Sequence, residues 1–191
     1  MADPLGTVED AIIQAVKNAL QGKIRLVDSL PGAWSIDTLK RILQTAPSVY
    51  VHFAGGQQGG DDDEVYLQAR FVVYFVSNQA SGSKARRRGS AQQIGAYEMM
   101  QTAVPSLHGM TVNQVGSLAL GQVGVEINEA TFDLGATVYS ATLNVNKLHW
   151  PIPVDSSALA DFETYHQDYD LDPDSDDEPV HDDTVSLPQD N

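Results

Sequence analysis

Apolar residues recur at three- and four-residue spacing near the start of the chain. Val8, Ala11, Ile12, Ala15, Val16 and Ala19 share one helical face, which predicts an amphipathic helix from about Val8 to Gln21. Thr7 is placed to cap its start and Gly22 to end it. The segment "KIRLVDSLPGAW" then reads as a short strand running into a turn at Pro31-Gly32. Ser35 offers a second cap, to a helix carrying Ile36, Leu39, Ile42 and Leu43 that ends before Pro47. "SVYVHFAGG" alternates around Val49, Val51 and Phe53, as a strand with one better buried face does.

The stretch "GGQQGGDDDE" lacks this alternation and is expected to be a flexible hairpin loop. Beyond it, "VYLQARFVVYFVSN" turns apolar on both faces from Phe71 to Val76, the pattern of a central strand covered on both sides. A basic loop follows, and Ser90 with Gln93 three residues later predicts a capped helix. Its buried stripe is read as Ile94, Tyr97, Met100 and Val104, and Pro105 as its stop. Residues 109–149 are glycine-spaced and rich in strand formers. There the apolar phase is even at Phe132, Leu134, Ala136 and Val138, then odd at Tyr139, Ala141, Leu143 and Val145. A two-residue period cannot change face without an extra residue, so a bulge or bend is expected near Ser140. Together these elements predict an α+β fold, a mixed, largely antiparallel sheet with about three helices packed on it.

Charge divides this picture in two. The net charge is -15, yet residues 155–191 hold 13 of the 26 acidic residues and no Lys or Arg. The first 154 residues therefore set 13 acids against all 11 bases and are nearly neutral. The expected organisation is a folded domain over residues 1–154 and an acidic extension over residues 155–191. The extension has too little apolar content to offset its ordering entropy alone. Leu159, Phe162, Tyr165 and Tyr169 fall at roughly helical spacing, so its first part is suited to dock on a surface, with the rest expected to be mobile when unpartnered. The longest wholly apolar run, "FVVYFV", is far shorter than the ~20 residues of a membrane-crossing helix. The first apolar stretch is broken by Gln14, Lys17 and Asn18 and lacks a basic leader. A soluble protein without membrane partners is expected. With no cysteine, disulfides and thiolate metal sites are excluded, in keeping with a reducing cytoplasm.

Candidate chemistry is sparse. The five histidines are scattered, with no HxxxH or HExxH spacing to supply two ligands from one helix face. "GGQQGG" has phosphate-loop glycines, but Asp61 stands where the lysine belongs and Asp62, Asp63 and Glu64 follow. Alternating Asp168, Asp170, Asp172, Asp174 and Asp176 lack the glycine and glutamate of a calcium-binding loop. No G-x-S-x-G elbow occurs. No catalytic residue, metal site or cofactor is expected. The specific feature is "SGSKARRRGS", where Lys84, Arg86, Arg87 and Arg88 place four of the eleven bases in five positions. Guanidinium groups suit phosphate or carboxylate, so two readings stay open: contact with a nucleic-acid backbone, or pairing with acids of a neighbouring chain. A single copy would bind feebly, whereas several around a ring would form a basic collar.

"KARRRGS" followed by "QQIGAYEMMQTAV", with "IRLVDSLPGAW" and "APSVYVHFAGG" before them, resembles the small head–tail region proteins of Mu-like bacteriophages and prophages. The resemblance runs from the first helix to about Trp150 and leaves the acidic extension outside it. Members resemble tail terminators, and the resemblance implies a structural, non-enzymatic virion protein. It implies a homo-oligomeric ring, typically hexameric, assembled in the host bacterial cytoplasm. Such a ring caps the tail tube protein and joins it to the neck or head connector protein. DNA passes through it, so Lys84, Arg86, Arg87 and Arg88 would either touch genomic DNA non-specifically or face a sister subunit. Ile94, Gly95, Ala96 and Tyr97 would begin the helix that directs this loop, with Gly95 packed closely against another backbone. Gly55, Gly56, Gly59 and Gly60 would mark an inter-subunit hairpin. A head-completion or stopper protein of the neck is the alternative within the same class, and a nucleic-acid-binding regulator the alternative outside it.

Overall fold

A computed structural model of the chain describes residues 3–32, 35–60, 65–79, 81–112, 115–126, 135–149, 164–169 and 181–186. The first helix, α1 (Pro4–Ala19), starts earlier than its apolar stripe. Asp3 is the N-cap, its carboxylate accepting from the Gly6 amide at 2.9 Å, and Pro4 follows where no hydrogen bond is lost. Thr7, the expected cap, lies inside the first turn, and its hydroxyl donates to the Asp3 carbonyl at 2.7 Å. Val8, Ile12, Ile13 and Val16 are the buried residues of α1.

Next come β1 (Leu26–Ser29), α2 (Ile36–Leu43) and β2 (Ser48–Gly60). Ser35 caps α2 as expected, its hydroxyl accepting from the Thr38 amide at 3.1 Å. β1 and β2 are parallel, with Leu26 opposite Ser48, so α2 is the crossover helix between them. β3 (Val65–Ser77) returns antiparallel, followed by α3 (Ser83–Arg88), α4 (Ala96–Leu107), β4 (Thr111–Val112), β5 (Gly116–Val125) and β6 (Thr137–His149). The six strands form one mixed sheet in the order β1-β2-β3-β6-β5-β4, antiparallel except at β1–β2. The α+β reading holds, with β3 at the centre as its sequence predicts.

Two apolar clusters cover the two faces. α1 and α4 pack on one, over Val49, Val51, Phe71, Val73, Phe75, Ala141, Leu143 and Val145. α2 packs on the other, where Leu39 and Ile42 meet Tyr50, Val76 and Val138. This two-sided cover explains the phase change in β6 without a bulge at Ser140. β6 stays in continuous register with β3 from Thr137 opposite Ser77 to Val145 opposite Ala69. Val138 faces the α2 cluster, and Tyr139, Ala141 and Leu143 face the other. Phe132 and Leu134 lie outside the described residues.

The real irregularities fall in a line across neighbouring strands. β2 carries an extra residue between Phe53 and Gly56, β5 between Leu120 and Val123, and β6 between Val145 and Leu148. Such bulges sharpen the local bend and twist of a sheet. Gly55, with φ of +99°, supplies the left-handed conformation that the β2 bulge uses. The described part of the expected loop, residues 55–60, is therefore strand, since Gly56 to Gly60 pair in register with Ala69 to Val65, while residues 61–64 lie outside the described residues.

The helix read from Ser90 also differs. It begins at Ala96 with Gly95 as N-cap, runs through Pro105, and buries Ala96, Met99, Ala103 and Leu107. Ser90 and Gln93 instead close a turn, the Ser90 amide donating to the Gln93 carbonyl at 2.9 Å. The buried stripe shifts because α4 lies flat on the sheet through its small alanines, leaving Tyr97, Met100 and Val104 half-buried at its flank.

Contacts within the chain separate two units, residues 1–151 and residues 152–191. In the second, β7 (Thr164–Tyr169) pairs antiparallel with β8 (His181–Ser186). Tyr165 and Tyr169 thus belong to a strand, although their spacing reads as helical. Leu159 and Phe162 lie outside the described residues.

Candidate functional site

The basic segment is itself ordered as α3. Glycines with positive φ bound it, Gly82 at +95° and Gly89 at +86°, and the Gly89 amide donates to the Ala85 carbonyl at 2.7 Å. No residue of α3 is buried, so its position is fixed by its flanks. Arg86, Arg87 and Arg88 fall in the last turn, where cations complement the partial negative charge of a helix C-terminus.

Two devices hold α3 against the body. The first is Gln79, 5 % exposed, whose amide nitrogen donates to the Gln93 carbonyl at 2.8 Å. Its backbone carbonyl accepts from Arg86 Nη1 at 3.2 Å. Arg86 Nε and Gln79 Oε1 are buried without a hydrogen-bond partner. Arg86 is thus turned inward as a strut, and the outward cations are exposed Lys84 and Arg88 with half-buried Arg87. The second device is Gly95. A Cβ placed there would lie 2.6 Å from the Arg88 carbonyl carbon and 2.7 Å from the Arg87 carbonyl oxygen. The close backbone approach expected of Gly95 is present, at the helix start and not within it. Ile94 and Ala96 beside it are buried.

Tyr97 continues this site toward the sheet. Its ring meets the Tyr139 ring edge-on at 5.1 Å, and the Tyr139 hydroxyl donates to the Tyr97 hydroxyl at 3.1 Å. The Tyr139 phenol is pushed up to about 12, by burial first, then by the hydrogen bond and charge of Tyr97, with Arg87 opposing. Tyr74 is raised as well, by burial and then by Glu126. A folded-state value above the ordinary 10 means the fold favours the protonated phenols. Their contribution to stability is complete below pH 10 and is lost as pH climbs through 12. Denaturant unfolding across that window is expected to show falling stability in step with phenolate absorbance, and Tyr97→Phe to shrink the fall. A flat profile across that window in the wild-type chain would contradict the assignment.

The structure thus brings Lys84, Arg86, Arg87, Arg88, Ile94, Gly95, Ala96 and Tyr97 into one site. Gly55, Gly56, Gly59 and Gly60 are elsewhere, in β2, which β3 separates from the β6 strand beside α3. Sequence reasoning missed Gln79, which reads as a plain loop residue, and Arg70. Arg70 Nη2 donates to the Ala54 carbonyl at 3.4 Å and, with Asn144, borders an open groove of about 470 Å³ at the β2 bulge. Among the described residues no three His, Asp or Glu side chains gather as metal ligands, and no helix is long and apolar enough to cross a membrane. What α3 presents is a set of cationic donors suited to phosphate or carboxylate oxygens.

The family model described as "Bacteriophage Mu, Gp37" matches residues 4–148. The chain is 25 % identical over 172 residues to "Mu-like prophage FluMu protein gp37" of Haemophilus influenzae, spanning 89 % of this chain and 83 % of that protein. It is 23 % identical over 165 residues to "Probable tail terminator protein" of Escherichia phage Mu, spanning 85 % of each. Among solved structures it is similar to a chain of "Virion of native gene transfer agent (GTA) particle", at 11 % identity and a TM-score of 0.47, over 78 % of this chain and 99 % of that one.

Proposed function

The chain belongs to the bacteriophage Mu Gp37 family, and from that premise we propose that it is a structural protein of a tailed-phage virion. It terminates the tail as a ring, hexameric by resemblance, that caps the tail tube and joins it to the neck or head connector. Residues 1–154 are the terminator domain and residues 155–191 an acidic extension. No catalytic step is assigned to it. It is assembled in the host bacterial cytoplasm and remains in the virion. The observation that carries this reading is the similarity to the phage Mu protein named a probable tail terminator, over 85 % of both chains.

α3 gives the ring a repeated cationic element. Lys84, Arg87 and Arg88 meet an anionic partner across the assembly, either carboxylates of the adjoining subunit or phosphates of DNA in the lumen. Arg86 is the strut that aims them. The test is solution mass, with electron microscopy of the protein alone and with tail-tube protein. Rings of about six subunits, free or seated on tube ends, are expected. A persistent monomer that ignores the tube would overturn the reading. Changing Lys84, Arg87 and Arg88 to alanine is expected to leave the melting temperature within about 2 °C of wild type, since none is buried. Loss of rings would place these cations between subunits, and intact rings that no longer retain DNA at low salt would place them in the lumen. A variant unchanged in both respects would remove α3 from the function.

A further inference from the structure

Besides the short outer strands β1 and β4, two longer lengths of edge in the main sheet have no described strand beside them, and they lie on opposite sides of the sheet. On one side β4 pairs with β5 only at Thr111–Ser117 and Val112–Gly116. Gly109 and Met110 then bond to Leu118, and His108 Nδ1 accepts from the Leu120 amide at 3.1 Å. Beyond that point the outer edge of β5 runs open from Gly121 to Val125. On the other side β1 ends at Ser29 opposite Val51, and the Leu30 amide closes on the Val51 carbonyl at 2.7 Å. The outer edge of β2 is open from there to Gly60.

Soluble proteins protect such edges with lysine, proline or inward-pointing charge. The residues here are "GQVGV" on β5 and "HFAGGQQGG" on β2, without Lys, Arg, Asp, Glu or Pro. Val123 and Val125 are the exposed large hydrophobics among the described residues, at 46 % and 48 %. They stand opposite Ala141 and Tyr139, on the sheet face that carries the main core. On that same face the open part of β2 presents Gly56, Gln58 and Gly60, opposite Ala69, Leu67 and Val65.

We propose that the outer edge of β5, Gly121–Val125, is a strand-pairing site for the outer edge of β2, around Gly56–Gly60, of a second copy of this chain. The fit is steric as well as polar. Of bulky Val123 and Val125, one faces Gln58 and the other a glycine across the boundary, and their pairing would continue the main core from one subunit into the next. Because the two edges belong to different sides of one sheet, the contact is head to tail and repeats until a ring closes. Pairing of β5 with itself would stop at a dimer. The proposal rests on the ring reading above and names its mating surfaces.

The chain has no cysteine, so introduced thiols report this contact alone. Val123→Cys or Val125→Cys chains, mixed with Gln58→Cys chains and oxidised, are expected to give a disulfide-linked pair. Each variant oxidised alone should stay uncross-linked. Val123→Lys should weaken self-association at least tenfold while leaving the melting temperature unchanged. Self-linking of Val123→Cys would instead show β5 paired with β5, and absence of any mixed link in well-folded chains would remove the contact altogether. Either result overturns the proposal. Rings without the mixed link would sink this pairing and leave the terminator reading standing. Linked open chains that never close would keep the pairing and sink the ring.

Discussion

Phe71→Ala is expected to lower the unfolding free energy by about 3–5 kcal/mol and the melting temperature by roughly 10 °C. Phe71 is fully buried on the central strand, paired with Phe53 on β2 and Leu143 on β6. Its ring packs against Phe53 with centroids 5.4 Å apart. The neighbouring strands are fixed in register on both sides, so the site cannot collapse into the space left behind, and the cavity cost adds to the lost burial. Val72→Ala, one residue along and on the other face, removes a half-buried side chain and is expected to cost about 1 kcal/mol. Thermal melts of both variants check the contrast. Equal losses would mean that the two faces are not covered as unequally at this point as the structure has them.

Gly95→Ala is the second large effect, at about 3 kcal/mol, the upper end for overpacking. The added methyl meets carbonyl atoms of Arg87 and Arg88 and not the yielding end of a side chain, so α3 must move away from α4. The Arg86 bond to Gln79 stretches with it, and the cations it aims lose their common direction. The variant is therefore expected to melt earlier and to fail in ring assembly even below its melting temperature. Gly124→Ala is the matched control for the melt alone. Its Cβ would meet only Ser140 Oγ at 3.8 Å, and its φ is not in the left-handed region, so its melting temperature should be near wild type. A wild-type melt for Gly95→Ala would show that the α3–α4 junction yields freely and that Gly95 has another purpose.

Elements whose partners are coded locally were legible in the sequence. The stripe of α1, the Ser35 cap of α2 and the doubly apolar run of β3 each carry their own periodicity. Elements that depend on a distant partner were not. "GGQQGG" has no alternation, and it is strand because β3 holds it in register from Gly56 to Gly60. The phase change in β6 was legible as a fact but not as a cause. One strand buried on both faces shows two phases, and only the placement of α2 opposite α1 and α4 decides between that and a bulge. At the site, the four cations were visible as a run and Gly95 as a close contact. The inward turn of Arg86 was not, because it depends on Gln79, which carries no signal in the linear pattern.

Among the described residues, α2 is the helix that packs on its face of the sheet, over a cluster that shares no residue with the one beneath α1 and α4. The smaller cluster can therefore come apart while the larger stays packed. Its opening would loosen Leu30 and the side of β1 that faces α2, while Val27 of β1 stays packed in the larger cluster. The protein is in this sense a hierarchy of cooperative units. A core of β3, β6, α1 and α4 carries a separately packed margin of α2 and the side of β1 that faces it, and that margin borders the open length of β2. Under the proposed pairing, a second subunit would add beside this margin, so late adjustment of its fit need not disturb the core.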